Sequence, residues 1–160
     1  MLKIETMKPR IYIDTSIVGG YFDDIFEDAT KLLFELLERD EVVFIASDLL
    51  QHELISAPAH VKMLFEKYRS SMKEVENSEE ARGLAQKYID ENVVGQTSFN
   101  DCNHIAIATL SNASILASWN FKHMVNLQRI QGYNDVNLKN GYTSLDIQSP
   151  NEIIKTLKNI

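Results

Sequence analysis

Short apolar runs alternate with amphipathic stretches along this chain, and the two differ in period. Arg-Ile-Tyr-Ile-Asp at 10–14 is a β-branched and aromatic run ending on a carboxylate, which predicts a strand. Thr15, Ser16 and the pair Gly19-Gly20 follow it as turn signals. Ala29, Leu32, Leu33, Leu36 and Leu37 then fall on one face at helical spacing. Residues 41–46, Glu-Val-Val-Phe-Ile-Ala, predict a second strand, with Ser47 placed to N-cap a helix beginning at Asp48. That helix should stop near Ala57-Pro58, because a proline pushes the residue before it out of helical geometry.

Val61, Leu64, Phe65 and Tyr68 mark the next amphipathic helix, and residues 72–75 a short edge strand. Ser78-Glu79-Glu80 opens a helix with acids in its first turn, where the helix dipole favours them. Its inner face is Ala81, Leu84, Ala85 and Tyr88. From Ser98 to Asn112 apolar residues crowd several faces, as in a buried helix. Residues 114–119, Ser-Ile-Leu-Ala-Ser-Trp, predict a third main strand and 142–147 a further one. Pro150 opens a last helix at a position proline favours.

Strands alternate with helices throughout, and the runs at 42–46 and 114–117 are continuously apolar. Both features predict an α/β fold: a mainly parallel sheet covered on two faces, in three layers α/β/α. No linker, repeat or low-complexity stretch interrupts the pattern. A single domain over 1–160 is expected, with its core at about 9–148, a C-terminal helix at 150–158, and residues 1–8 as a loose extension.

Composition narrows this picture. The chain has 160 residues, 44% hydrophobic and 24% charged, as in a globular domain with its own core. Its net charge is -7, from 16 basic and 23 acidic residues, which argues against coating nucleic acid by bulk electrostatics. Any nucleic-acid contact should be local, salt-sensitive and metal-dependent. Cys102 is the single cysteine, so no intrachain disulfide forms and a reducing cytoplasm suits the chain. No apolar run reaches the length of a membrane span, and residues 1–10 lack a signal-peptide core. The expectation is a cytoplasmic protein with no membrane contact.

Open parallel sheets bind ligands beyond the carboxyl ends of their strands. Asp14 ends the first strand, and Asn120 directly follows the third. Glu53 lies about a turn and a half into the helix after the second strand, at ~3.6 residues per turn. Asp101 opens the buried helix and shares a face with His104, Ile105 and Ala108. A carboxylate at the rim of an apolar face needs a partner, and a metal is one. Hard ions such as Mg²⁺ prefer oxygen ligands and keep several waters. Such an ion lowers the pKa of a bound water and neutralises charge on a phosphodiester.

These residues resemble the PIN domains, a family that includes the VapC-type toxins of bacterial toxin–antitoxin pairs. The resemblance rests on Tyr-Ile-Asp-Thr-Ser at 12–16, Glu53, Asp-Cys-Asn-His-Ile-Ala-Ile-Ala at 101–108 and Leu-Ala-Ser-Trp-Asn-Phe-Lys-His at 116–123. Each motif alone is weak, and their order and spacing over about 9–148 make the set specific. The resemblance implies an endoribonuclease dependent on Mg²⁺ or Mn²⁺, with Asp14, Glu53 and Asp101 as metal-binding acids and Asn120 assisting. Many members carry an acid where this chain has Asn120; an amide ligates or orients but adds no negative charge. The resemblance further implies an RNA substrate, an antitoxin partner and a homodimer.

Each residue also has a plainer role. Asp14 would cap a turn, Glu53 would face solvent, Asp101 would favour the helix dipole and Asn120 would form a strand-end turn. Thr15 and Ser16 read as turn formers with a bond to the site, and His104 as a satisfied, partly buried histidine. Lys122, His123 and Arg129 suit either RNA phosphates or a solvated basic face. Trp119 reads as a core aromatic before a base-stacking one, and the acids at 74, 76, 79 and 80 as an exposed helix start. A catalytically weak module that binds RNA or protein is the alternative function, favoured by Asn120. A haloacid-dehalogenase-like phosphatase needs a second acid two residues after its nucleophile, where Ser16 stands here. A P-loop enzyme needs a Gly-x-x-x-x-Gly-Lys run, which the sequence lacks.

Overall fold

In the computed structural model, residues 8–95 and 98–158 are described. The expected loose extension at 1–8 therefore falls, except for Lys8, outside the described residues. Five strands form one sheet in the order β3-β2-β1-β4-β5, every neighbouring pair parallel. They are β1 (Arg10–Ile13), β2 (Val43–Ser47), β3 (Met72–Val75), β4 (Ile115–Ala117) and β5 (Asp146–Gln148). Ile11 pairs with Phe44 of β2 on one side and Ile115 of β4 on the other, so β1 is central. The strand order reverses at β1, which opens a crevice at its carboxyl end.

Side chains on these strands point alternately to the two faces. Ile11, Ile13, Phe44, Ala46, Ile115 and Ala117 join one core cluster. It is closed by α1 (Thr15–Gly20), α2 (Glu27–Glu38), α3 (Asp48–Leu54), α4 (Ala59–Tyr68) and α8 (Pro150–Lys158). Tyr12, Ile45 and Leu116 point the other way, into a second cluster under α5 (Glu79–Asp90), α6 (Phe99–Leu110) and α7 (Leu127–Lys139). The three-layer α/β/α arrangement follows directly, and burial of both faces explains the unbroken apolar runs.

Local signals mostly act as expected. Ser47 Oγ accepts from Leu50 N at 3.2 Å and Ser78 Oγ from Ala81 N at 3.1 Å, capping α3 and α5. Two expectations are corrected. Gly19-Gly20 is not a break, because α1 runs through Gly20. A Cβ on Gly20 would lie 2.6 Å from Trp119 Nε1, so this glycine admits a neighbouring ring. The segment after the third strand also contains α7, where no helical pattern is expected from the residues. That helix buries only Tyr133, Val136 and Asn137, while Leu127 is exposed. The buried amide of Asn137 is bonded to Tyr88 and Thr109, which hides the apolar period.

Strand and helix ends also shift. The third main strand is only Ile115–Ala117, because Ser118 and Trp119 turn to hydrogen bonds outside the ladder. The second strand starts at Val43 instead of 41, and the last is Asp146–Gln148 instead of 142–147. The first strand stops at Ile13, and Asp14 is the N-cap residue of α1. In α2, Phe34 is buried and Leu32 is exposed, a small rotation of the expected face.

Candidate active site

Asp14 leaves β1 at the switch point and is only 5% exposed. Its two oxygens are each met by a serine. Ser16 Oγ donates to Oδ1 at 2.5 Å and Ser118 Oγ donates to Oδ2 at 2.6 Å. Both serines are fixed by backbone donors from the end of β4: Trp119 N to Ser16 Oγ at 2.9 Å and Asn120 N to Ser118 Oγ at 2.9 Å. Burial pushes the Asp14 carboxyl above its ordinary range, and the charge of Asp101 adds to this. His104 and the two serine hydroxyls act in the opposite direction without cancelling it.

Glu53 comes from the last turn of α3. His104 Nε2 lies 2.5 Å from Glu53 Oε1, and the Thr15 hydroxyl donates to the same oxygen at 2.8 Å. Burial alone would raise this carboxyl; the hydrogen bond and charge of His104, helped by Thr15, outweigh it and hold it below the usual range. On its other nitrogen, His104 Nδ1 lies 2.7 Å from the Tyr12 hydroxyl, which lies 2.7 Å from Ser47 Oγ.

Asp101 lies in the first turn of α6 and accepts from Asn120 Nδ2 at 3.2 Å on Oδ2. The amide oxygen of Asn120 accepts from the backbone of Lys122 at 3.2 Å and His123 at 3.1 Å, which pins the turn after β4. Burial raises the Asp101 carboxyl, opposed by the charges of His123 and His104 and by the Asn120 amide, while Glu53 pushes it further up. Among the described residues, none of the ion pairs involves Asp14 or Asp101.

The other candidates divide. Thr15 and Ser16 bond Glu53 and Asp14, yet they do so as the first residues of α1, not as turn formers. His104 is buried with both ring nitrogens bonded. Trp119 stacks on Phe26, with ring centroids 4.2 Å apart, and its Nε1–H donates to Thr30 Oγ1 at 3.0 Å, so it is a core aromatic. Arg129 is bound to the Val93 carbonyl, while Lys122 is exposed. His123 sits near enough to Asp101 to lower its pKa. Glu74 bonds Gln51 and Arg69 instead of standing free. Tyr12, Ser47 as a side-chain partner, and Ser118 escaped the sequence reading. Tyr12 and Asp14 share one parity on β1, which was the available signal.

This architecture has known counterparts. No protein-family model and no curated protein matches the sequence. Among solved structures, VapBC2 from Rickettsia felis bound to a DNA fragment from its promoter is similar at a TM-score of 0.56 and 16% identity. That match covers 88% of this chain and 98% of the other. DNA-bound VapBC from Salmonella typhimurium is similar at 0.54 and 14% identity, covering 89% and 98%. The chain has a VapC-like PIN-domain fold.

Within this PIN-like fold, the donor chemistry suits a hard divalent ion. Asp14, Glu53 and Asp101 offer oxygen ligands, and Asn120 turns its amide N–H groups to Asp101. Beyond burial, the charge of Asp101 raises the Asp14 carboxyl and that of Glu53 raises Asp101, with no bonded Lys or Arg on either aspartate among the described residues, a cost that a cation relieves. Among the described residues, no group of three or more His, Cys, Asp and Glu side chains is close enough to enclose an ion. The set therefore fits an ion such as Mg²⁺, which is commonly held by one or two carboxylates and keeps its waters. It does not fit a closed protein cage.

Proposed function

We propose that this protein is a metal-dependent endoribonuclease acting as the toxin of a toxin–antitoxin pair. The observation that carries the reading is buried Asp14 beside half-buried Asp101, both with raised pKa values, at the switch point of a PIN-like sheet. Asp14 and Asp101 would hold Mg²⁺ or Mn²⁺, with Glu53 completing the oxygen set and Asn120 assisting through its amide N–H to Asp101. When bound, the ion would supply neutralisation of phosphodiester charge and activation of a water. Ser16 and Ser118 fix both oxygens of Asp14, and Asn120 orients Asp101. Exposed Lys122 stands beside this edge as a contact for RNA phosphate. The structural neighbours are VapBC complexes on DNA, which supports a small antitoxin as partner. A homodimer belongs to the same reading.

The test is cleavage of a mixed RNA substrate with Mn²⁺, with EDTA, and by Asp14→Asn. Cutting that requires metal and falls at least ~100-fold in the variant supports the nuclease and its site together. Full activity in both Asp14→Asn and Asp101→Asn would sink the mechanism. A second reading, a PIN-like module that binds RNA or protein without cutting, is favoured by uncharged Asn120 and by the lack of a three-acid cluster among the described residues. RNA binding with no cleavage under any metal would select it.

A further inference from the structure

Among the described residues two phenylalanines are exposed, and their settings differ. Phe22 is 42% exposed and already meets Tyr21 and His60 edge-on. Phe121 is 49% exposed and directly follows Asn120 in the chain. It ends a row of three rings. Phe26 and Trp119 stack with centroids 4.2 Å apart, and Phe121 leans on them at 6.4 and 6.1 Å, tilted by 46° and 59°. The inner pair is closed, since Trp119 is 6% exposed and its Nε1–H is taken by Thr30. The outer ring stays half in water, and packing on its two neighbours leaves that half without a partner.

The turn that carries Phe121 is tied to the candidate metal site. Asn120 Nδ2 donates to Asp101 Oδ2 at 3.2 Å, and Asn120 Oδ1 accepts from the backbones of Lys122 and His123 at 3.2 and 3.1 Å. The Asn120 carbonyl accepts from Val125 N at 2.8 Å, and the Tyr133 hydroxyl donates to the His123 carbonyl at 2.8 Å. Phe121 is therefore held in place before any ligand arrives, which lowers the ordering cost of binding. Lys122, the next residue, is exposed. A ring in water beside a cation is how proteins hold unstacked nucleotides: a base lies on the ring and a phosphate meets the charge. The net charge of -7 works against long-range attraction of RNA, so a contact that does not depend on charge has to contribute to affinity.

We infer that Phe121 is a substrate-binding residue that stacks on the base of a nucleotide flanking the scissile phosphate. This rests on the nuclease reading, which places that phosphate at Asp14 and Asp101. The ring fixes where the strand lies and takes no part in bond breaking, so its loss raises KM and leaves kcat little changed. Every base has a π-face, so the contact sets position along the strand without choosing one base. A purely packing role makes a different demand on Phe121: apolar bulk over Trp119 and no flat aromatic face.

That difference is the test. Phe121→Leu keeps apolar bulk and removes the flat face, while Phe121→Tyr keeps the face; urea midpoints confirm that both variants fold. Binding is read with an RNA hexamer carrying 2-aminopurine, whose fluorescence is quenched on stacking, in Ca²⁺, which takes oxygen ligands as Mg²⁺ does. The wild-type protein and Phe121→Tyr should quench the probe and bind it alike. Phe121→Leu should bind about 5–100-fold more weakly and quench little. In Mn²⁺, cleavage of mixed RNA should show KM raised by a similar factor in Phe121→Leu. Wild-type binding and quenching in Phe121→Leu, or an unquenched probe on the wild-type protein, overturns the stacking contact. An unchanged KM in Phe121→Leu overturns it while the nuclease reading stands. Quenching that depends on the ring in a protein that cuts no RNA supports the base contact and overturns the nuclease reading instead.

Discussion

Asp14 is a carboxyl group kept from water and met by two hydroxyls, with no bonded cation among the described residues. Its raised pKa means that the native state holds the proton more tightly than the unfolded chain. The stability tied to this group is complete below about pH 4 and is lost as pH rises through the folded value. Glu53 has the opposite sign: its lowered pKa contributes stability above about pH 4.3 that is lost as pH falls through the folded value. At neutral pH, metal-free Asp14→Asn should therefore unfold later than wild type, by about 0.5–2 kcal/mol, with the gain shrinking in acid. Thermal unfolding at both pH values measures this, and a variant less stable at neutral pH would refute it. Cys102 is fully buried, and burial pushes its thiol up to about 12. Iodoacetamide should label it only after denaturation; rapid labelling of the native protein would contradict the packing.

The elements owe their ends to a few contacts, and those contacts make local predictions. Gly20→Ala would drive a Cβ against Trp119, whose ring is held by Phe26 and Thr30. The expected cost is about 1–3 kcal/mol, visible as a lower denaturation midpoint with altered tryptophan fluorescence. Ser78→Ala removes the cap of α5 and should cost about 1 kcal/mol, read as a lower urea midpoint. Capping of α3 and α5 was legible from the sequence, because a cap is a contact between residues three apart. The helical state of Thr15–Gly20 was not, because Gly20 serves the Trp119 ring that arrives from the segment after β4. Likewise α7 was hidden: its buried face includes Asn137, which is satisfied by Tyr88 and Thr109 from two other helices.

At the scale of the molecule, the same strands line both cores, Ile11 and Ile13 on one face and Tyr12 on the other. Neither core can be lost without exposing the sheet that supports its partner. Unfolding should therefore be a single transition, with far-ultraviolet circular dichroism and Trp119 fluorescence superimposing across a urea titration. Separated midpoints would show that the two helical layers melt independently.

The sequence by itself determined the class of fold, since alternating periods and unbroken apolar strands admit few arrangements other than a parallel sheet between helical layers. It also placed Asp14 and Asn120 at strand ends, Asp101 at a helix start and Glu53 within the helix after the second strand, near the carboxyl edge to which the rule for open sheets directs ligands. The tertiary structure decided which of them meet. Asp101 pairs with Asn120 across α6 and β4, and Glu53 meets His104 instead of another acid. Ser118 and Tyr12 gain their roles only because β1 lies beside β4 and below α6. Periodicity is a local property carried by neighbours a few residues apart. The partner of a buried hydroxyl or carboxylate is set by packing between segments about a hundred residues apart, as with Asp14 and Ser118, and no local pattern encodes it.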